Sequence, residues 1–178
     1  QKLTLMKTSA DSLKKSADAL NDSSLWEKKK IKKKDEKTGE EIEVEDYDWD
    51  KITKAVKSFV EDYNDVVKEA GESNTKDVLR NASWMTGMTD KNSNMLAKIG
   101  ITIGKGNKLE LDEDALKQAD ISSLKTVFTG YNSFVSKISQ KATGISNAAN
   151  RASATYTNNG TYSKTDSSLT SSKIDKEV

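Results

Sequence analysis

No cysteine, histidine or proline occurs anywhere in the 178-residue chain. Without cysteine there is no disulfide and no thiolate zinc site. Without histidine there is no imidazole base, no histidine-bearing triad and no histidine metal ligand. Zero proline suits long uninterrupted helices, because a proline inside a helix costs ~3 kcal/mol. Large apolar residues are also sparse. Hydrophobic residues make up 34% of the chain, and Leu, Ile, Val and Phe together fall just under the ~20% at which disorder becomes a concern. The other sign of disorder, high net charge, is missing, since 29 basic and 28 acidic residues leave +1. No run of ~18 apolar residues exists to span a membrane. No signal peptide is visible, and a chain beginning at Gln1 rather than Met leaves room for a preceding segment. A single domain of this size buries ~70% of its unfolded surface. Its composition suits a thin, elongated core, because a narrow helical seam needs few large apolar residues per turn.

What is present is heptad spacing. In YNSFVSKISQKATGISNAANRASATY, apolar residues fall at Tyr131, Val135, Ile138, Ala142, Ile145, Ala149, Ala152 and Tyr156, alternating steps of four and three. Two other stretches match it. Leu3, Met6, Ala10, Leu13, Ala17 and Leu20 form one stripe, which ends at Asn21-Asp22-Ser23-Ser24, residues that compete for the backbone. Ile52, Val56, Phe59, Tyr63, Val66 and Ala70 form the other, widened by Ala55, Val60 and Val67, capped by Asp48 or Asp50 and stopped by Gly71 at its C′ position. Three stripes within one chain predict an intramolecular three-helix bundle rather than a dimeric rod. Val56, Phe59, Tyr63, Tyr131, Val135, Ile138 and Ile145 are its expected core. The small residues Ala142, Ala149 and Ala152 thin the third seam, which calls for close helix approach or a partner from another subunit.

Residues 25–49, LWEKKKIKKKDEKTGEEIEVEDYDW, place a lysine cluster ahead of an acidic stretch. The lysines alone would suggest nucleic acid. Folded about Lys37-Thr38, however, Lys34 faces Glu41, Lys32 faces Glu43, Ile31 faces Val44, Lys30 faces Glu45 and Trp26 faces Trp49. Opposite charges across antiparallel strands contribute ~0.2–1 kcal/mol each, and Gly39 supplies a left-handed turn position. A self-complementary hairpin is expected, since a nucleic-acid site would leave its positive charge uncompensated.

Residues 72–130 read as a compact insertion. Ser73, Asn74 or Thr75 caps a short helix through Val78, Leu79, Ala82 and Met85, with Trp84 sealing its side; Thr89 to Asn94 reads as a polar loop. Ile101 and Ile103 pair with Leu109 and Leu111 around Gly104-Lys105-Gly106-Asn107. Asp112 caps a helix through Leu116 and Ala119, and apolar contacts continue through Leu124, Val127 and Phe128 to Gly130. No chemistry emerges from this region. Gly104-Lys105-Gly106 lacks Walker spacing, and Asp112-Glu113-Asp114 puts Lys117 and Ser123 where a calcium loop needs Gly and Glu. Carboxylates from Glu110 to Asp114 suit a helix N-terminus without any acid-base role. No catalytic, cofactor-binding or metal-ligating residue is assigned, and the expectation is a non-enzymatic protein.

Several of these blocks resemble the family of flagellar hook-associated protein 2, the filament cap protein. ITKAVKSFVEDYNDVV resembles the helix that re-enters that family's coiled-coil domain, and SADSLKKSADALNDSSL its outgoing helix. LAKIGITIGKGNKLELDEDALKQA, followed by LKTVFTG, is similar to its signature of a Gly-Ile hairpin, a Lys-Leu-x-Leu-Asp-Glu strand-to-cap and a Phe-Thr-Gly stop. The likeness spans roughly residues 5–155. It implies a helical stalk that assembles at the filament tip, where flagellin is inserted beneath it. Where the family carries one or two large β-rich domains, only the 25–49 hairpin stands here, as in a miniature or truncated form.

The combined expectation is a mainly α fold, an elongated three-helix coiled-coil stalk with small hairpins at about 25–49 and 100–111 and short helices. Residues 1–157 form the stalk domain and 158–178 a flexible tail carrying isolated Leu169 and Ile174. The resemblance implies an extracellular flagellar assembly protein that forms homo-oligomers through its stalk helices and contacts flagellin or hook-filament junction proteins, and an export chaperone, with no nucleic acid and no membrane insertion. Lys30, Lys32, Glu43 and Glu45 are the expected subunit contacts. The alternative function is a secreted surface or adhesion module that reuses the fold without a motility role.

Overall fold

The apolar stripes determine where the long helices lie. The computed structural model describes residues 2–165, with the side chains of 2–155. Helix α1, Lys2–Leu20, buries Met6, Ala10, Leu13, Ala17 and Leu20, and half-buries Leu3. A short 3-10 turn at Ser23–Trp26 follows, its entry held by the Asp22 carboxylate accepting from the Ser24 N–H. Strands β1, Lys29–Lys34, and β2, Glu41–Asp46, then form an antiparallel hairpin. Helix α2, Trp49–Gly71, starts where Asp48 accepts from the Lys51 N–H at 3.1 Å. Helix α3 is Lys76–Lys91 and helix α4 Ser93–Ala97. Strands β3, Ile101–Ile103, and β4, Leu109–Leu111, pair antiparallel. Helix α5, Glu113–Gln118, is capped by Asp112, helix α6 is Ile121–Phe128, and helix α7 is Phe134–Thr165.

The fold is therefore mainly helical with two small hairpins, as the periodicity predicts. The three striped helices also gain a fourth wall. Asp11 and Asp18 of α1 bond to Ser146 and Ser139 of α7, so these two helices run antiparallel. Tyr63 of α2 bonds to Thr89 of α3, and Asn81 of α3 lies where a Cβ on Gly144 of α7 would fall, 2.5 Å from it. Each helix thus packs antiparallel on its neighbours in the cyclic order α1, α2, α3, α7. Gly144 is what lets α3 sit this close, because any side chain there would displace the Asn81 amide.

Between α3 and α7 the insertion folds onto α2. Asn64 of α2 donates to the Leu109 carbonyl at 2.9 Å and accepts its N–H at 2.7 Å, so an amide side chain replaces the strand that β4 lacks on that edge. The start of β3 requires glycine. Gly100 has φ +92°, and a Cβ there would stand 2.7 Å from the Asp112 carbonyl, while its own carbonyl accepts the Asp112 N–H at 2.8 Å.

Aromatic rings close the hairpin-bearing end. Trp26 is buried, donates its indole N–H to the Leu20 carbonyl at 2.7 Å and stacks on Phe128 at 5.6 Å between centroids. Phe59 meets Phe128, Phe134 and Tyr63 at 6.5, 6.3 and 6.2 Å. One ring on α2 thereby joins α6 and α7.

Several expectations need correction. Tyr131 is 86% exposed. Gly130, at φ +101°, turns the chain ahead of the helix, so α7 begins only at Phe134 and it is Phe134 that enters the core. Trp26 does not face Trp49 across the hairpin, because the ladder ends at Lys29–Asp46 and the indole turns inward to Phe128. Gly71 is not a left-handed stop; it is the last helical residue, and Glu72 caps α2 with φ −97°. The segment from Thr89 is not a loop, since α3 runs through it to Lys91. Trp84 and Leu79 remain partly exposed, at 53% and 41%. Helix α7 runs past Thr157 to Thr165; the rest of the expected tail, including Leu169 and Ile174, lies outside the described residues.

Thr89 shows why a polar residue can sit at this depth. Its hydroxyl donates to the Met85 carbonyl at 2.9 Å and accepts from the Tyr63 hydroxyl at 2.8 Å. Thr89→Val should therefore cost more than Tyr63→Phe. The valine leaves a buried phenol without an acceptor, at ~1–3 kcal/mol, whereas the phenylalanine removes one bond worth ~0.5–1.5 kcal/mol. Urea unfolding of the two variants measures the difference. Burial also raises the Tyr63 pKa to about 12, the Thr89 contact opposing only part of the rise. An unfolded tyrosine ionises near 10, so stability should fall as pH rises from there toward 12, and Tyr63→Phe should remove that decline.

Candidate assembly surfaces

The 29–46 hairpin pairs in the register that its charges predict, Lys34 with Glu41, Lys32 with Glu43, Ile31 with Val44 and Lys30 with Glu45. The turn is closed by the Gly39 N–H donating to the Asp35 carbonyl at 2.8 Å, with Gly39 at φ +72°. Strand alternation sorts the side chains. Lys30, Lys32, Lys34, Glu41, Glu43 and Glu45 share one face, and all six are exposed. Ile31, Ile42 and Val44 share the other, where Ile42 is 39% exposed. The ion pair within reach on the hairpin, Lys33 to Asp46 at 2.5 Å, lies on that second face. Among the described residues, no charge on the first face is within 4.0 Å of an opposite one, so its lysines and glutamates are left to solvent or a partner.

The second feature is a polar ladder along the α1–α7 seam. Lys7 donates to Asp11 at 2.8 Å and Lys14 to Asp18 at 2.6 Å. From the other helix, Ser146 donates to Asp11 at 2.6 Å and Ser139 to Asp18 at 2.7 Å. Each residue type recurs after seven positions, so the same Lys-Asp-Ser arrangement is made twice. The buried Ala10, Ala17, Ala142 and Ala149 keep the helices near enough for serine to reach across. At the seam's end the Asn21 amide accepts the Gly130 N–H at 2.9 Å and donates to the Gly130 carbonyl at 3.3 Å. This ladder was legible in principle, since Asp11/Asp18 and Ser139/Ser146 repeat at the heptad interval. It escapes a search for apolar stripes because its residues flank them.

A third surface lies between α3 and α7. Trp84 rests under the Lys141 ammonium, 5.0 Å from the ring centre, beside Met88, Lys91 and Lys137. Cation–π contact at an exposed site is worth ~0.5–1 kcal/mol. It explains how a half-exposed indole is accommodated without a partner.

The expected core residues Val56, Phe59, Tyr63, Val135, Ile138 and Ile145 are all fully buried. They support the surfaces and take no part in them. Glu110, Asp112, Glu113 and Asp114 do not gather into a site, for Asp112 is occupied as the α5 cap, accepting from the Ala115 N–H. Among the described residues, no group of three or more acidic residues is placed to hold a metal ion, and no helix is long and apolar enough to cross a membrane.

A four-sided antiparallel bundle with a charged hairpin at one end defines a mainly helical bundle protein with small β appendages. Comparison with known families specifies it further. The family model for the flagellar hook-associated protein 2 C-terminus matches residues 73–177, more than half of the chain. The chain belongs to the flagellar hook-associated protein 2 family, which is a family of structural proteins of the extracellular flagellar filament. No curated protein matches it. No solved structure does either.

Acid titration distinguishes the seam from the neighbouring α1–α2 groove. Hydrogen bonds from Lys7 and then Ser146 hold the Asp11 carboxyl below its usual range. Burial pushes Asp18 upward, but the bonds from Lys14 and Ser139 outweigh it and the net shift is down. Asp62 is raised: burial leads, a Ser16 hydrogen bond opposes it, and Asp65 and Glu61 add to it. For Asp11 and Asp18 the folded pKa is below the unfolded one, so their contribution is present above ~4 and lost as pH falls through the folded values. Asp62 has the opposite sign and destabilises the fold at neutral pH. Thermal unfolding across this range should show a shallower acid decline for Asp11→Asn with Asp18→Asn, and a higher melting temperature at neutral pH for Asp62→Asn.

Proposed function

We propose that this chain is a structural subunit of a flagellar filament cap, which assembles with copies of itself at the filament tip and contacts flagellin. Family membership over residues 73–177 carries this reading. The bundle supports it, since its long helices form a rigid stalk whose charged hairpin stands clear at one end. The mechanism is binding alone. The core holds the helices in register, and the exposed residues Lys30, Lys32, Glu43 and Glu45 meet a neighbouring subunit. Flagellin or a hook-filament junction protein meets the assembled stalks, and an export chaperone is the partner before assembly.

Negative-stain microscopy of the protein mixed with flagellin filaments tests this directly. Density should accumulate at filament tips. Bare tips at saturating protein would overturn the cap reading, and binding to cell surfaces in place of tips would favour an adhesion module. A second variant addresses the hairpin. Ile31 and Val44 lie opposite each other on its less polar face, and replacing both with Asp puts like charges in direct opposition. Tip decoration should fall while the helical signal in circular dichroism is retained.

A further inference from the structure

The 29–46 hairpin is a two-stranded sheet with two unpaired edges, and the edges differ in charge. In an antiparallel pair, opposite residues alternate between those that exchange hydrogen bonds and those whose backbone groups point outward. The Asp35 N–H donates to the Glu40 carbonyl at 2.8 Å, so Lys33–Ile42, Ile31–Val44 and Lys29–Asp46 are also bonded pairs by alternation. The free backbone groups on the β1 edge are then those of Lys30, Lys32 and Lys34. On the β2 edge they are those of Glu41, Glu43 and Glu45. All six residues are exposed, so neither edge is covered by the bundle. An isolated two-stranded hairpin is marginal in water, and an open edge is a template for another strand.

Charge decides which strand can be added. Placing β1 beside β1 of another copy opposes lysine to lysine, and β2 beside β2 opposes glutamate to glutamate; both are destabilising. Only β1 beside β2 opposes unlike charges. We propose that copies of this chain join head to tail through this hairpin, β2 of one copy adding as an antiparallel strand to β1 of the next. This rests on the assembly reading above and names its contact. All hairpins then point the same way. The contact is heterologous, and repeated it produces either a closed ring or an open helical array. Edge lysines usually protect against sheet growth; here they block like edges only, which gives the association its direction.

The test uses the full chain and a charge-swapped variant in which Lys30, Lys32 and Lys34 become Glu and Glu41, Glu43 and Glu45 become Lys. Every opposite pair within the swapped hairpin is preserved, so it should fold and self-associate. Native mass spectrometry should show oligomers of the original chain and, separately, of the swapped chain, since each presents unlike charges only from β2 to β1 of its own kind. A swapped chain that stays monomeric while the original assembles would overturn the proposal, as would an original chain that stays monomeric at every concentration. Glu43→Pro supplies an independent check. The Glu43 N–H points outward, so proline spares the internal ladder and blocks only the edge. Oligomers should be lost in sedimentation velocity with the melting temperature unchanged, and undiminished oligomers would overturn the proposal. Decorated filament tips together with undiminished oligomers of Glu43→Pro would remove this contact and leave the cap reading standing.

Discussion

The α1–α7 seam is the constraint on which the other elements depend. It joins residues separated by 121 and 135 positions in the chain, so all the intervening elements must begin and end at this seam. The entropy of closing so long a loop grows only as its logarithm, ~0.6 kcal/mol for each doubling of length. A hairpin, two further helices and a compact insertion can therefore be carried between the two sides at little extra cost once the seam is made. What the seam demands is proximity. Alanines at Ala10, Ala17, Ala142 and Ala149 provide it, and the two serine-aspartate bonds then fix the register, because a slip of one residue would remove both hydroxyls from both carboxylates.

Two asparagines do comparable work where the insertion meets the long helices. Asn64 pairs with both backbone groups of Leu109, and Asn21 with both backbone groups of Gly130. An amide carries one donor group and one acceptor with nearly the geometry of a peptide, so each satisfies a strand edge or turn that would otherwise be short of partners. Asn64 fastens the second hairpin to α2. Asn21 fastens the start of the α7 connection to the end of α1. Together with the Phe59 ring cluster they convert separate elements into one packed unit.

Much of this was legible from periodicity and charge, since both are local. The stripes of α1 and α2 gave every buried position from Met6 to Leu20 and most of those from Ile52 to Ala70. The 29–46 register followed from matching Lys against Glu, as a one-residue slip would break most of the pairs. The failures share a different cause. Tyr131 continues the heptad arithmetically, but Gly130 interrupts the helix ahead of it, and spacing contains no information about where a helix starts. Thr89 looks like a loop residue until Tyr63 supplies a partner from another helix. Asn21 and Asn64 read as ordinary helix-end and surface residues, because their partners lie 109 and 45 positions away. Trp26 leaves its strand register for the same reason, its partner Phe128 being contributed by α6.

The arrangement of charge on the hairpin follows from the same distinction between local and distant pairing. A strand of lysines beside a strand of glutamates balances overall, which removes the reason to expect nucleic acid as a ligand. Balance within the hairpin does not make its edges alike, because each edge is formed by one strand only. The segment is therefore self-complementary internally and polarised externally. Had lysine and glutamate alternated along each strand, the hairpin would have been equally neutral and its edges equivalent, open to isologous pairing. Segregating the signs by strand forbids that symmetry and leaves a directional surface at the end of a rigid bundle. The head-to-tail contact proposed for this chain depends on that asymmetry.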